Sequence, residues 1–164
     1  MFPIGGLKKN HYCVYEGKTY YNRFPIYADS DYKVVIRLIS VDSTNQQGIA
    51  LKFCDFDGEV RINGEMIEIP RKNYQDYILR VPKDEDICGM EVTIDIHPIK
   101  GYVYFENASA LYGSSTFTTG EFSSHYNGFW LEQLSDNSYR FHCNDHEKDE
   151  DFNDFIFDLE IGQK

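Results

Sequence analysis

The chain has 164 residues, 41% hydrophobic and 16% aromatic, with a formal net charge of −11 at pH 7. That length suits one domain, residues 1–164, with a core large enough to need no covalent staples. The acidic balance excludes nucleic acid, whose phosphates need a basic patch, and argues equally against anionic membrane surfaces.

Thirteen Tyr and twelve Phe tilt the composition towards strands. The four cysteines, Cys13, Cys54, Cys88 and Cys143, are widely spread with no C-x-x-C. They could form two disulfides in a secreted protein or remain thiols in a reducing compartment. The first residues, Met1 to Lys9, lack a basic region ahead of a long apolar core. The expectation is a cytoplasmic protein if the chain is complete as given, and an extracellular one if a signal peptide has been removed. No run approaches the ~18 apolar residues that span a bilayer.

In chain order, Tyr12 to Tyr15 and Thr19 to Phe24 are short aromatic strands around Glu16-Gly17. Tyr32 to Val41 is apolar on both alternations, which predicts a central strand. Ser43 to Gly48 reads as a polar loop and Ile49 to Phe53 as a strand. Asp57-Gly58 marks a turn. Glu59 to Ile62 and Glu65 to Ile69 flank Asn63-Gly64, the pattern of a type I′ hairpin, with Val60, Ile62, Ile67 and Ile69 on one buried face. Asp76 to Val81 is a strand stopped by Pro82. Met90 to Ile96 alternates with one wet face, and Gly101 to Glu106 forms a further strand. Asn107 to Ser124 is mainly a connection. Tyr126 to Leu134, Tyr139 to Cys143 and Phe155 to Ile161 complete about ten strands with little helix. The prediction is an all-β, antiparallel, single-domain β-sandwich, jelly-roll-like.

The strongest chemical signal is Asp145 to Glu160, which packs eight carboxylates and one lysine into sixteen residues. So many like charges need an offset, and a hard divalent cation supplies one. Asp145, Glu147, Asp149, Asp151 and Asn153 alternate, so an extended backbone puts them on one side. Phe155, Phe157, Leu159 and Ile161 then face inward, with Asp158 and Glu160 outward.

Read from Asp149, the segment resembles an EF-hand loop, with oxygen ligands at Asp149, Asp151 and Asn153 and an acid at Glu160. Asp154 stands where that loop needs Gly, and no helices flank it. Asp151-Phe-Asn-Asp-Phe-Ile-Phe157 more closely resembles the acidic segment leading into the terminal strand of bacterial calcium-associated β-sandwich domains. The resemblance covers about a dozen residues. It implies calcium as the cofactor and adhesion or carbohydrate recognition among the roles. The candidate ligands are Asp145, Asp149, Asp151, Asn153, Asp154 and Glu160, with Asp29, Asp31, Asp55 and Asp57 as further oxygen donors. The bland alternative is a solvated acidic turn that keeps an edge strand from pairing.

His142-Cys143-x-x-His146 offers a zinc alternative on short spacing. Tyr126 and Trp130, beside Asn127-Gly128, are the candidate ligand-binding aromatics. No nucleophile motif or phosphate-binding glycine loop occurs, so no catalytic residue is assigned. The leading expectation is a non-catalytic calcium-binding module for carbohydrate or protein. A metal-free acidic interaction subunit and a small glycoside hydrolase with a carboxylate pair are the alternatives.

Overall fold

The computed structural model describes residues 12–15, 17–27, 30–70, 77–83, 85–110, 117–119, 128–144 and 154–163. Twelve strands lie in chain order: β1 (Tyr12–Tyr15), β2 (Lys18–Tyr21), β3 (Phe24–Tyr27), β4 (Tyr32–Val41), β5 (Gln46–Ile62), β6 (Glu65–Met66), β7 (Tyr77–Arg80), β8 (Glu91–Ala110), β9 (Thr118–Thr119), β10 (Gly128–Ser135), β11 (Ser138–Asn144) and β12 (Phe155–Gln163). The fold is all-β and antiparallel, as expected; β6 and β9 are only two residues long, so ten strands carry the structure. All belong to one hydrogen-bonded sheet of order β1-β2-β10-β11-β12-β4-β8-β5-β6, with β3 and β9 on β8 and β7 on β5.

Two long strands fold this sheet over. β8 pairs with β4 through residues 91–96 and with β3 through 102–105, while β5 follows β8 along nearly its whole length. Both strands bend in the middle. The β5 register shifts at Asp57, with positive φ at Asp55 (48°) and Gly58 (150°), and Gly101 of β8 has φ 90°. Glycine is needed at this close approach, since a Cβ on Gly101 would stand 2.4 Å from the Asp55 carbonyl oxygen. Asp57-Gly58 is therefore a bulge inside a continuous strand, not the expected turn. For the same reason Met90–Ile96 and Gly101–Glu106 are halves of one strand, which runs on to Ala110 into the stretch expected to be a connection.

The fold-over brings β3 against β11. The Phe24 ring lies 5.3 Å from both Tyr139 and Phe141, and Phe141 stacks on Phe157 at 4.5 Å. Phe24 thus starts the strand on the far side of the core rather than ending β2. Val34, Ile36, Leu38, Ile94, Ile96, Phe155, Phe157 and Leu159 fill the space between, all buried. Each such side chain contributes roughly 1.5–3 kcal/mol through removal from water. The inward alternation expected for β12 is present: Phe155, Phe157 and Leu159 are buried, while Glu160 is exposed. The Asn63-Gly64 hairpin is present too, with φ 50° and 85° at its two central positions.

Candidate metal centre

β11 and β12 are antiparallel neighbours whose upper pair is Cys143 with Phe155. Residues 145–153 therefore form the connection between them, and Asn144 and Asp154 are its two bases. Asp145, Asp149, Asp151 and Asn153 of the expected ligand set, together with His146, lie outside the described residues. The bases are described, and both are buried polar side chains.

Asn144 is 0% exposed and Asp154 2%. The Asp154 carbonyl accepts from the Asp42 amide at 2.9 Å, and the Asn144 carbonyl accepts from Asn107 Nδ2 at 2.9 Å. Their backbones are thus committed, which fixes where the side chains begin. Neither Oδ1 nor Nδ2 of Asn144 has a hydrogen-bond partner among the described residues, and the same is true of Oδ1 of Asn107 and Oδ1 of Asn22. A buried amide left unpaired costs about 1–3 kcal/mol, so several at one end of a sheet call for a compensating partner.

The register places these groups together. Tyr21 pairs with Phe129 and Gly128 with Asn144, so Asn22, Gly128 and Asn144 continue one row across β2, β10 and β11, with Asp154 beside it at the start of β12. Asn107 reaches the row from the other half of the fold, through its bond to Asn144. The donor set is amide oxygens plus a carboxylate, which suits a hard cation rather than a soft one. No group of three His, Cys, Asp or Glu side chains placed to hold a metal occurs among the described residues.

Other expected ligands lie elsewhere. Glu160 pairs with Ser138 near the opposite end of β12. Six residues of extended chain carry it about 20 Å from Asp154, so one ion cannot take both. Asp154 and Glu160, both in the expected ligand set, therefore belong to opposite ends of β12. Asp31 Oδ2 sits 3.1 Å from His97 Nδ1, and Asp55 and Asp57 mark the β5 bend; Asp29 lies outside the described residues.

The zinc alternative fails on alternation. Neighbouring residues of a strand point to opposite faces. Cys143 is fully buried in the core, whereas His142 lies on the outer face against Trp130. Burial pushes the Cys143 thiol well above its ordinary range, with Asp154 adding to the rise, which disfavours the thiolate that zinc requires. Cys54, Cys88 and Cys143 are free thiols.

On the outer face, Tyr20 pairs with Trp130, Trp130 with His142, His142 with Ile156 and Ile156 with Ser40. The Trp130 and His142 rings stack with centroids 3.9 Å apart and planes 2° from parallel. One indole face is therefore covered by the imidazole, so Trp130 does not offer both faces to a ligand. Tyr126 lies outside the described residues. His142 Nε2 is 3.5 Å from Glu132 Oε1. Desolvation of the imidazole outweighs the carboxylate and lowers its pKa.

Charge, the usual mark of a hard-cation ligand in a sequence, does not single out the buried asparagines. The available signal was position: Asn144 immediately precedes the acidic run, and an amide there supplies an oxygen without adding repulsion.

No helix among the described residues is long and apolar enough to cross a membrane. No family model matches this chain, and no curated protein or solved structure matches it.

Proposed function

We propose that this chain is a non-catalytic binding module that holds a calcium ion where β11 passes into β12. One observation carries the reading. The two bases of an acidic connection are buried polar residues, Asp154 and an Asn144 whose amide has no partner among the described residues. Calcium takes six to eight oxygens in flexible geometry. Asp154 and the Asn144 amide oxygen supply two, and Asp145, Asp149, Asp151 and Asn153 can complete the set from the intervening segment. The ion offsets the local negative charge and pins the start of β12. Trp130 is two residues from Gly128, the partner of Asn144. The ion would thus lie at the end of β11 next to the aromatic row, which we propose meets a carbohydrate or protein.

The test is calorimetric titration of calcium into the EDTA-stripped protein, with Asp154→Asn beside it. The parent should bind one ion, and the variant should bind it at least tenfold more weakly. A parent that gives no heat, and whose melting temperature ignores both calcium and EDTA, ends the reading.

A further inference from the structure

The β1–β2 hairpin joins the rest of the sheet over a short length. β2 meets β10 at Tyr21 with Phe129 and at Tyr20 with Trp130, and through no further pair among the described residues. Phe24 then begins β3, buried in the other half of the fold. Asn22 and Arg23 therefore carry the chain across from one half to the other. Asn22 is 8% exposed at this crossing, and its Oδ1 has no hydrogen-bond partner among the described residues. Alternation puts it on the same side of the sheet as Asn144. Tyr21, Phe129, Cys143 and Phe155 form one row, and the last three are buried in the core. The adjoining positions Asn22, Gly128, Asn144 and Asp154 fall on the opposite face, which also carries Trp130 and His142.

Gly128 stands between the two asparagines. Its φ is 132°, and a Cβ there would lie 3.0 Å from the Tyr21 carbonyl oxygen, so β2 runs close beside it. The middle of the row thus carries no side chain. Two strand spacings separate Asn22 from Asn144 by roughly 10 Å. An amide oxygen reaches about 3.5 Å from its own Cα, and a calcium–oxygen bond adds about 2.4 Å. Two such arms span about 12 Å, so one ion over Gly128 can take both oxygens. We infer that Asn22 is a ligand of the calcium ion, which clasps the β1–β2 hairpin and the chain crossing to β11 and β12. The inference rests on the calcium reading and deepens it, adding Asn22 to Asn144 and Asp154. A neutral amide gives the ion an oxygen without adding charge beside the acidic run from Asp145 to Glu160. Tyr20, next to Trp130 in the aromatic row, travels with the hairpin. The row is therefore complete only when the ion is bound.

The experiment uses the full chain in calcium and in EDTA, with calorimetry for the ion and amide hydrogen exchange for the hairpin. At about a hundred times its Kd, calcium should slow exchange in β2 at least about tenfold. Exchange where Val34 pairs with Ile94, far along the sheet, should stay unchanged. Asn22→Ala should bind calcium about tenfold more weakly and lose the calcium-dependent protection of β2. Its melting temperature in EDTA should match that of the stripped parent, because the oxygen removed had no partner to lose. Asn22→Asp keeps an oxygen at the same place and should restore both binding and protection. A parent that binds no calcium overturns the ion and the clasp together. A parent that binds calcium without slowing exchange in β2 overturns the clasp and leaves the ion on Asn144 and Asp154. Equal calcium affinity in Asn22→Ala and the parent does the same.

Discussion

The indole of Trp130 and the imidazole of His142 lie face to face across β10 and β11, 3.9 Å between ring centres. Trp130 is the single tryptophan of the chain, so tryptophan emission reports on this position. Burial lowers the His142 pKa from 6.5, opposed by Glu132 and Asp158 and assisted by Arg140. The imidazole is therefore neutral at pH 7 and charges only in more acidic solution. A protonated imidazole on an indole face quenches its fluorescence. Emission should fall with a midpoint below 6.5, and His142→Phe should remove the transition. The sign for stability follows from linkage. The unfolded histidine takes its proton first, so its contribution is intact above about pH 6.5 and is lost as pH falls towards the folded value. A midpoint above 6.5 would contradict this account.

The outer face carries a row of alternating charge: Glu132, Arg140, Asp158, Arg37 and Glu91, one on each of β10, β11, β12, β4 and β8. Its members are not equivalent. Arg140 grips Asp158 with two hydrogen bonds, Nε–Oδ1 at 2.8 Å and Nη2–Oδ2 at 3.0 Å, and both side chains are partly buried. Arg37 meets Glu91 through a single contact at 3.3 Å in the open. Bidentate, partly desolvated pairs contribute more than exposed ones. Arg140→Ala should cost about 1–2 kcal/mol in urea unfolding, and Arg37→Ala no more than about 0.5 kcal/mol. Equal losses would mean that the row acts through its overall field rather than through the Arg140 fork.

Asn144 separates the ion from ordinary packing by the sign of its effect. If its amide is there for a cation, Asn144→Ala removes an unpaired buried polar group, and without calcium that relieves about 1–3 kcal/mol of desolvation cost. The stripped variant should then melt at or slightly above the stripped parent. In calcium the order reverses, because the parent gains about 2.7 kcal/mol at a hundred times Kd and the variant gains little. A variant less stable than the parent by the same margin in both buffers would assign Asn144 to packing alone.

Local chemistry was legible wherever a short pattern has a single physical solution. Asn63-Gly64 demands positive φ at two adjacent positions and formed its hairpin. Phe155, Phe157 and Leu159 occupy alternate positions and became the inner face of β12. Long-range geometry was not legible. Asp57-Gly58 and Gly101 carry ordinary turn signals, and only the pairing of β5 with β8 turns them into a shared bend. Likewise Asn22 and Asn144 fall in one row across β10, and no periodicity links them. The candidate site was half legible: carboxylates announce themselves by charge, whereas Asn22, Asn107 and Asn144 stand out only because folding buries them.

That shared bend is the most sensitive point of the fold. Gly101 has φ 90°, and a Cβ there would meet the carbonyl oxygens of Asp55 and Cys54 at 2.4 and 2.6 Å. These are backbone atoms of the partner strand and cannot swing aside as a side-chain tip would. Gly64 has nearly the same φ, 85°, but a Cβ there meets nothing within 4 Å. The pair therefore isolates the steric cost from the conformational one. Gly64→Ala should lose about 1 kcal/mol, the cost of a left-handed alanine. Gly101→Ala should lose more than about 3 kcal/mol, in the range reserved for a named structural clash. Because β3 meets β8 just beyond the bend, Gly101→Ala should also loosen Phe24 from Tyr139 and Phe141, seen as loss of near-ultraviolet aromatic dichroism while the Asn63-Gly64 hairpin persists. Two variants of equal stability would show that β5 and β8 separate at the bend without strain, and the fold-over would then need another cause.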